Sequence, residues 1–132
     1  MKIRRGRVRS VLLIKRVAIK VPTIRNGPKH FLLGMLANIL EAERWVHTEH
    51  PSLAPVLWSA PFGLCNVSRR YHRLITRALT KDELDCLPFI GFDNNGHNAA
   101  FHEGRVVLLD YGNADMYLRR GGQPSCRGKS RK

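Results

Sequence analysis

The sequence predicts an α+β fold, a small antiparallel sheet with one main helix packed on it. Three observations predict this. The run from Val11 to Val21 is rich in Val, Ile and Leu, which suits a pleated, half-buried strand. From Phe31 to about Val46, apolar residues recur at helical spacing. Pro51 and Pro55 then break the helical pattern, and the short apolar runs that follow are bounded by turn formers. With 132 residues and 43% hydrophobic content, the chain has room for one domain, or one lobe and a fragment.

The elements follow in order. The first nine residues read as a basic arm. Val11 to Val21 is a strand pair or one long strand, which Pro22 ends. Asn26-Gly27-Pro28 is loop chemistry, and Pro28 suits the first turn of a helix because its missing N–H is not needed there. In that helix Leu32, Leu36, Ile39, Leu40 and Val46 fall on one face, the face expected to be buried, and Gly34 is its one weakening residue. Leu53 to Trp58 reads as a strand, Pro61-Phe62-Gly63 as a turn, and Leu64 to Val67 as a second strand. Ser68 to Thr80 has partial helical spacing through Tyr71, Leu74, Ile75 and Leu79. Thr80 with Glu83 three residues on forms a capping box that opens a short helix. Phe89 to His97 reads as a polar loop, and Gly104 begins a hairpin-like return into the strand Arg105 to Leu109. The segment 121–132, rich in Gly, Ser and basic residues, is expected to be disordered from its composition. The domain organisation is therefore an arm at 1–9, a single domain at 10–118 and a basic tail at 119–132.

The formal net charge of +13 raises the question of a nucleic-acid partner. Its location answers in part: residues 1–9 and 119–132 hold 11 of the 23 basic residues and no acid. Basic ends of this kind attract polyanions non-specifically and in a salt-dependent way. No zinc-finger or RNA-recognition signature accompanies them. No apolar run approaches the roughly 18–20 residues that span a bilayer, so no membrane partner is expected. Lys15 and Arg16 interrupt the one N-terminal apolar stretch, which argues against a secretory signal. Cys65, Cys86 and Cys126 are far apart, odd in number and without metal-ligand spacing, and read as reduced thiols in a cytoplasmic protein. Trp45, Trp58 and Tyr71 sit in apolar patterns and read as core, while His97, His102 and Glu103 read as solvated side chains.

The residues that carry chemistry lie between the first strand and the last. Val17-Ala18-Ile19-Lys20 puts Ala18 and Lys20 on one face of a strand, with Val17, Ile19 and Val21 directed into packing. A helix with glutamates follows, then His50-Pro51. Asp93 stands with Asn98 five residues on, and a hairpin strand then ends in Asp110-Tyr111-Gly112. This order resembles that of the protein-kinase family: strand lysine, helix glutamate, catalytic loop with Asp and Asn, then a metal-binding Asp-aromatic-Gly turn. The resemblance implies the ATP-binding lobe of a kinase plus a much reduced second lobe, with ATP and Mg²⁺ as cofactors. It assigns Lys20 to the α- and β-phosphates, Ala18 to the space beside adenine, Asn98 and Asp110 to Mg²⁺, and Asp93 to the acceptor hydroxyl. The glutamate that pairs with Lys20 is Glu41 by counting back from His50-Pro51. Helix geometry instead favours Glu43, because that position shares the apolar face, where a carboxylate needs a cation.

The pattern also departs from the family. No Gly-rich loop precedes Lys20, Gly91-Phe92 stands where His-Arg is usual, and 20 residues follow Gly112. Two functions from different classes follow. One is a minimal phosphotransferase acting on a protein or small-molecule hydroxyl. The other is a catalytically inert kinase-like interaction module, and a basic nucleic-acid binder is a third, carried by the tails alone.

Overall fold

The computed structural model describes residues 1–90, 98–112 and 116–118. Strands β1 (Lys2–Arg5), β2 (Arg9–Ile14) and β3 (Val17–Pro22) form an antiparallel meander. The β2–β3 turn is two residues long and places Lys15 in the left-handed region, at φ 51°. After it come the long helix α1 (Pro28–Thr48), β4 (Val56–Ser59) and β5 (Asn66–Arg69). β5 pairs with both β3 and β4, giving a five-stranded antiparallel sheet in the order β1-β2-β3-β5-β4. A single 3-10 turn, Pro61–Gly63, links β4 to β5, and the remaining described elements are β6 (Leu74–Ile75), α2 (Lys81–Asp85), β7 (Phe89–Ile90), β8 (Ala99–His102), β9 (Arg105–Leu108) and β10 (Tyr117–Leu118). They form a three-stranded sheet, β6-β8-β9, and a short β7–β10 pair. The molecule is thus α+β, with an antiparallel sheet and one long helix among the described residues.

Local chemistry accounts for the ends of these elements. Pro28 opens α1, and Glu49 closes it in the left-handed region with its N–H on the Trp45 carbonyl. The expected capping box opens α2: Thr80 accepts from the Glu83 N–H, and the Glu83 carboxylate accepts from the Thr80 N–H. The β8–β9 hairpin turns through Glu103 and Gly104, both at positive φ, the backbone a two-residue turn needs.

Four expectations are corrected. Residues 2–5 are not a free arm but the edge strand β1, and their Lys and Arg side chains suit an unpaired strand edge. Ser68 to Thr80 is not helical: β5 runs to Arg69, and Leu74–Ile75 pairs with β8, so tertiary pairing overrides the partial periodicity. Trp58 is exposed on β4 rather than in the core. Cys86 is disulfide-bonded, so the reduced-thiol reading holds for Cys65 alone of these two.

The largest correction concerns the face of α1. Leu32, Leu36, Ile39 and Val46 are exposed, and the helix buries Gly34, Asn38 and Glu41 instead, at i, i+4 and i+7. Gly34 lies where the helix touches the sheet, and a Cβ there would meet the Val8 carbonyl oxygen at 2.2 Å. The apolar core sits beyond the far end of α1, where Leu53, Leu87, Leu108 and Tyr111 pack with Phe89 and Met116, and Trp45 leans against them. A parallel bridge between Leu53 and Leu108 joins the connection after α1 to β9, through Ala54 N–H to Leu108 O and Leu108 N–H to Ser52 O.

Candidate functional site

The polar face of α1 closes over the inner face of the sheet, and charged side chains meet in the space between. Along β3, alternation brings Ala18 and Lys20 inward, both buried, while Val17, Ile19 and Val21 are half-buried. Val17, Ile19 and Val21, expected to be directed into packing, therefore lie on the less buried face, and Lys20 on the interior one. Lys20 Nζ donates to Glu41 Oε1 at 2.8 Å and to the Leu109 carbonyl at 2.5 Å.

Glu41 is fully buried and accepts from several donors. Besides Lys20, the Arg9 guanidinium lies at 3.3 and 3.4 Å from its two oxygens, and the Tyr111 backbone N–H donates to Oε2 at 3.0 Å. Burial alone pushes a carboxyl pKa up. Here the charges of Arg9 and Lys20, with these hydrogen bonds, reverse that and hold Glu41 at about 2. Lys20 is held below its usual value, chiefly by burial, with Arg9 adding to the effect and Glu41 opposing it. Glu43, favoured on helix geometry, is exposed and is not the partner. The apolar face of α1, which Glu43 shares, is not the buried one. The count back from His50-Pro51, which gives Glu41, identifies the pair.

Arg9, expected in the basic arm, belongs to the site instead. It is buried, donates to Asn38 Oδ1 at 2.8 Å and to Glu41, and forms a short contact with Asp110 Oδ1. Burial lowers an arginine's pKa, but Glu41 and Asp110 together raise it well above the usual value. A signal for this was present: Arg9, Val11 and Leu13 alternate at period 2, which places Arg9 on the face of the buried Leu13. Asn38 completes the floor, its amide donating to the Lys20 and Gly63 carbonyls.

The segment after β9 is fixed from three sides. The Tyr111 hydroxyl donates to the Ala54 carbonyl at 2.5 Å, and Arg44 donates to the Tyr111 and Met116 carbonyls. Gly112 lies against α1, where a Cβ would meet the Ala37 carbonyl oxygen at 2.1 Å. Asp110 itself is half-exposed. The Asn98 carbonyl accepts from the Leu109 N–H, so Asn98 and Asp110 stand at the same end of the β8–β9 hairpin. Asp93 lies outside the described residues.

The oxygen donors of Asn98 and Asp110 suit a hard cation such as Mg²⁺, which is commonly held by one or two protein groups plus substrate phosphates. Arg9 competes for Asp110 Oδ1 in the form described. Among the described residues no group of three or more His, Cys, Asp or Glu could hold a metal. Beside Lys20, a cavity of about 30 Å³ is lined by Val11, Ala18, Tyr71, Leu74 and Leu109, with Arg4 reaching in. That is room for about two waters rather than a purine ring. The Arg4 Nε is buried there without a hydrogen-bond partner among the described residues.

The arrangement holds two cations and two carboxylates in one small volume, with a lysine anchored between a strand, a helix and the turn after a hairpin. Comparison with protein-family models, with curated proteins and with solved structures finds no match to this chain.

Proposed function

We propose that this chain is a minimal kinase-like phosphotransferase that moves the γ-phosphate of Mg-ATP to a hydroxyl of a protein or small molecule. The observation that carries the reading is the buried Lys20–Glu41 pair with Asp110 beside it. Protein kinases require a strand lysine paired with a helix glutamate and, separately, an aspartate at the metal. Lys20, Glu41 and Asp110 occupy the strand, the helix and the turn after the hairpin in that order. Buried ion pairs add little net stability compared with apolar packing. A charged cluster kept under α1 therefore supports a functional role over the needs of a core.

In this reading Glu41 orients Lys20 towards the α- and β-phosphates, and Ala18 leaves room beside the adenine. Asn98 and Asp110 hold the metal, and Asp93 accepts the proton of the acceptor hydroxyl. Mg-ATP, when bound, supplies the transferable phosphoryl group and neutralises its charge. Two of the chain's own residues must shift for it to enter: Arg4 out of the cavity beside Ala18, and Arg9 off Asp110. The reading suits a cytoplasmic protein, and the disulfide at Cys86 is the feature that speaks against that location.

A second reading, an inert kinase-like interaction module, is favoured by the same two arginines, since Arg9 holds Asp110 and the cavity beside Ala18 is small. The test is a thermal melt with and without Mg-ATP on wild type, Lys20→Met and Asp110→Asn, together with release of phosphate from Mg-ATP. Ligand at about 100 times its dissociation constant adds roughly 2.7 kcal/mol, a clear rise in Tm. The phosphotransferase reading expects a rise and phosphate release in wild type, both lost in the variants. Asp110 is half-exposed, so Asp110→Asn keeps the test decisive if Lys20→Met does not fold. A folded wild type with no rise at millimolar nucleotide leaves the interaction module.

A further inference from the structure

The end of β5 and the connection from it to α2 carry Arg69, Arg70, Arg73 and Arg77 within nine residues and no acid. Each of the four lines one groove of about 670 Å³, whose opposite wall is the β8–β9 turn. That volume lies within the range of sites that bind small molecules. Glu103 is the one acid among the lining residues. Arg77 is partly neutralised by Glu83, at 2.9 and 3.0 Å. Arg69, Arg70 and Arg73 therefore crowd like charge along one wall, a cost that a bound anion would relieve.

The walls are set by the backbone. The Phe101 N–H donates to the Arg73 carbonyl, and the Arg70 N–H donates to the Arg16 carbonyl. Arg69 stacks over the Tyr71 ring at 5.3 Å and contacts His102 Nε2 at 3.3 Å, and His102 meets Tyr71 edge-on. These contacts hold the Arg69 guanidinium in place before any ligand arrives, which favours anion binding by reducing the loss of side-chain freedom.

We infer that this groove binds a compact anion with closely spaced phosphates. Arginine forks match phosphate oxygens two at a time, and three of them on one wall suit more than one phosphate group. A nucleic-acid strand fits less well, because strand-binding grooves offer open aromatic faces for stacking. Arg69 already covers a face of Tyr71, and His102 takes up a further side of the ring. The inference does not rest on the phosphotransferase reading, although Arg69, Arg70 and Tyr71 line both this groove and the cavity beside Ala18.

The test is calorimetric titration of the full chain, at physiological salt, with inorganic tripolyphosphate and separately with inositol hexakisphosphate. Saturable 1:1 binding of either is expected, and which one binds distinguishes a linear chain from a phosphorylated ring. The double variant Arg69→Ser, Arg73→Ser should weaken that binding about tenfold or more. Arg73→Ser alone, at an exposed side chain, should weaken it several-fold and serves if the double variant does not fold. A variant with Arg127, Lys129, Arg131 and Lys132 all changed to Ser should bind as wild type does. The inference is overturned by binding that survives in the folded groove variants, by loss in the tail variant, or by failure of both phosphates to bind. An oligothymidylate that binds in their place would assign the groove to nucleic acid instead.

Discussion

Glu41 is the residue on which the charged cluster turns. It neutralises parts of two buried cations and accepts a backbone N–H from the Asp110–Gly112 turn. Replacing it by Gln leaves Arg9 and Lys20 facing each other with no buried anion between them. Removing one partner of a buried pair costs about 3–5 kcal/mol, and Glu41→Gln is expected in that range by urea denaturation. Glu43→Gln, at an exposed position, should stay within about 0.5 kcal/mol. The pH dependence follows from the same residue. Its pKa falls from 4.5 to about 2 on folding, so its contribution is complete above the higher value and is lost as pH falls towards the lower. Wild type should therefore lose stability between about pH 4.5 and pH 2, and Glu41→Gln should lack that part of the slope. Equal slopes in the two proteins would mean that Glu41 is not held as an anion.

At the scale of elements, α1 departs furthest from its pattern. Gly34→Ala improves intrinsic helix propensity by about 1 kcal/mol. The same change drives a methyl group into the Val8 carbonyl and Pro22, and overpacking of this kind costs about 1–3 kcal/mol. Net destabilisation is expected from chemical denaturation. Leu36→Gln, placed on the expected buried face, should be nearly neutral because that side chain is exposed. The contrast explains what the sequence could reveal. Pro28, the Thr80–Glu83 box and the turn at Gly104 were legible because each acts on its immediate neighbours. The count back from His50-Pro51 also gave the glutamate that pairs with Lys20. The buried face of α1 was not legible, because its polar residues are stabilised by Arg9, 32 residues before Glu41, and by Tyr111, 70 residues after it. Short helical spacing in 68–80 lost to β6–β8 pairing for a related reason: the partner strand comes some 25 residues later.

For the whole molecule, the sheet with α1 and the core around Leu108 are joined at the Leu53–Leu108 bridge and by Tyr111. The Tyr111 hydroxyl binds Ala54, on the connection that carries this bridge. Tyr111→Phe leaves that buried carbonyl without its donor and should cost about 1–3 kcal/mol, read as a lower midpoint in urea. Because the two parts share these contacts, far-UV and near-UV signals should be lost together in wild type. The Arg9–Asp110 contact spans 101 residues of sequence. During synthesis the ribosome releases Arg9, Lys20 and Glu41 long before Asp110, so the early chain carries two cations against one carboxylate in what becomes the interior. Long-range closure of this kind slows folding. The first strands and α1 can associate while the nascent chain is still growing, but their interior keeps an excess positive charge until the final hairpin emerges. The docking of that hairpin is then driven by charge as well as by apolar contact.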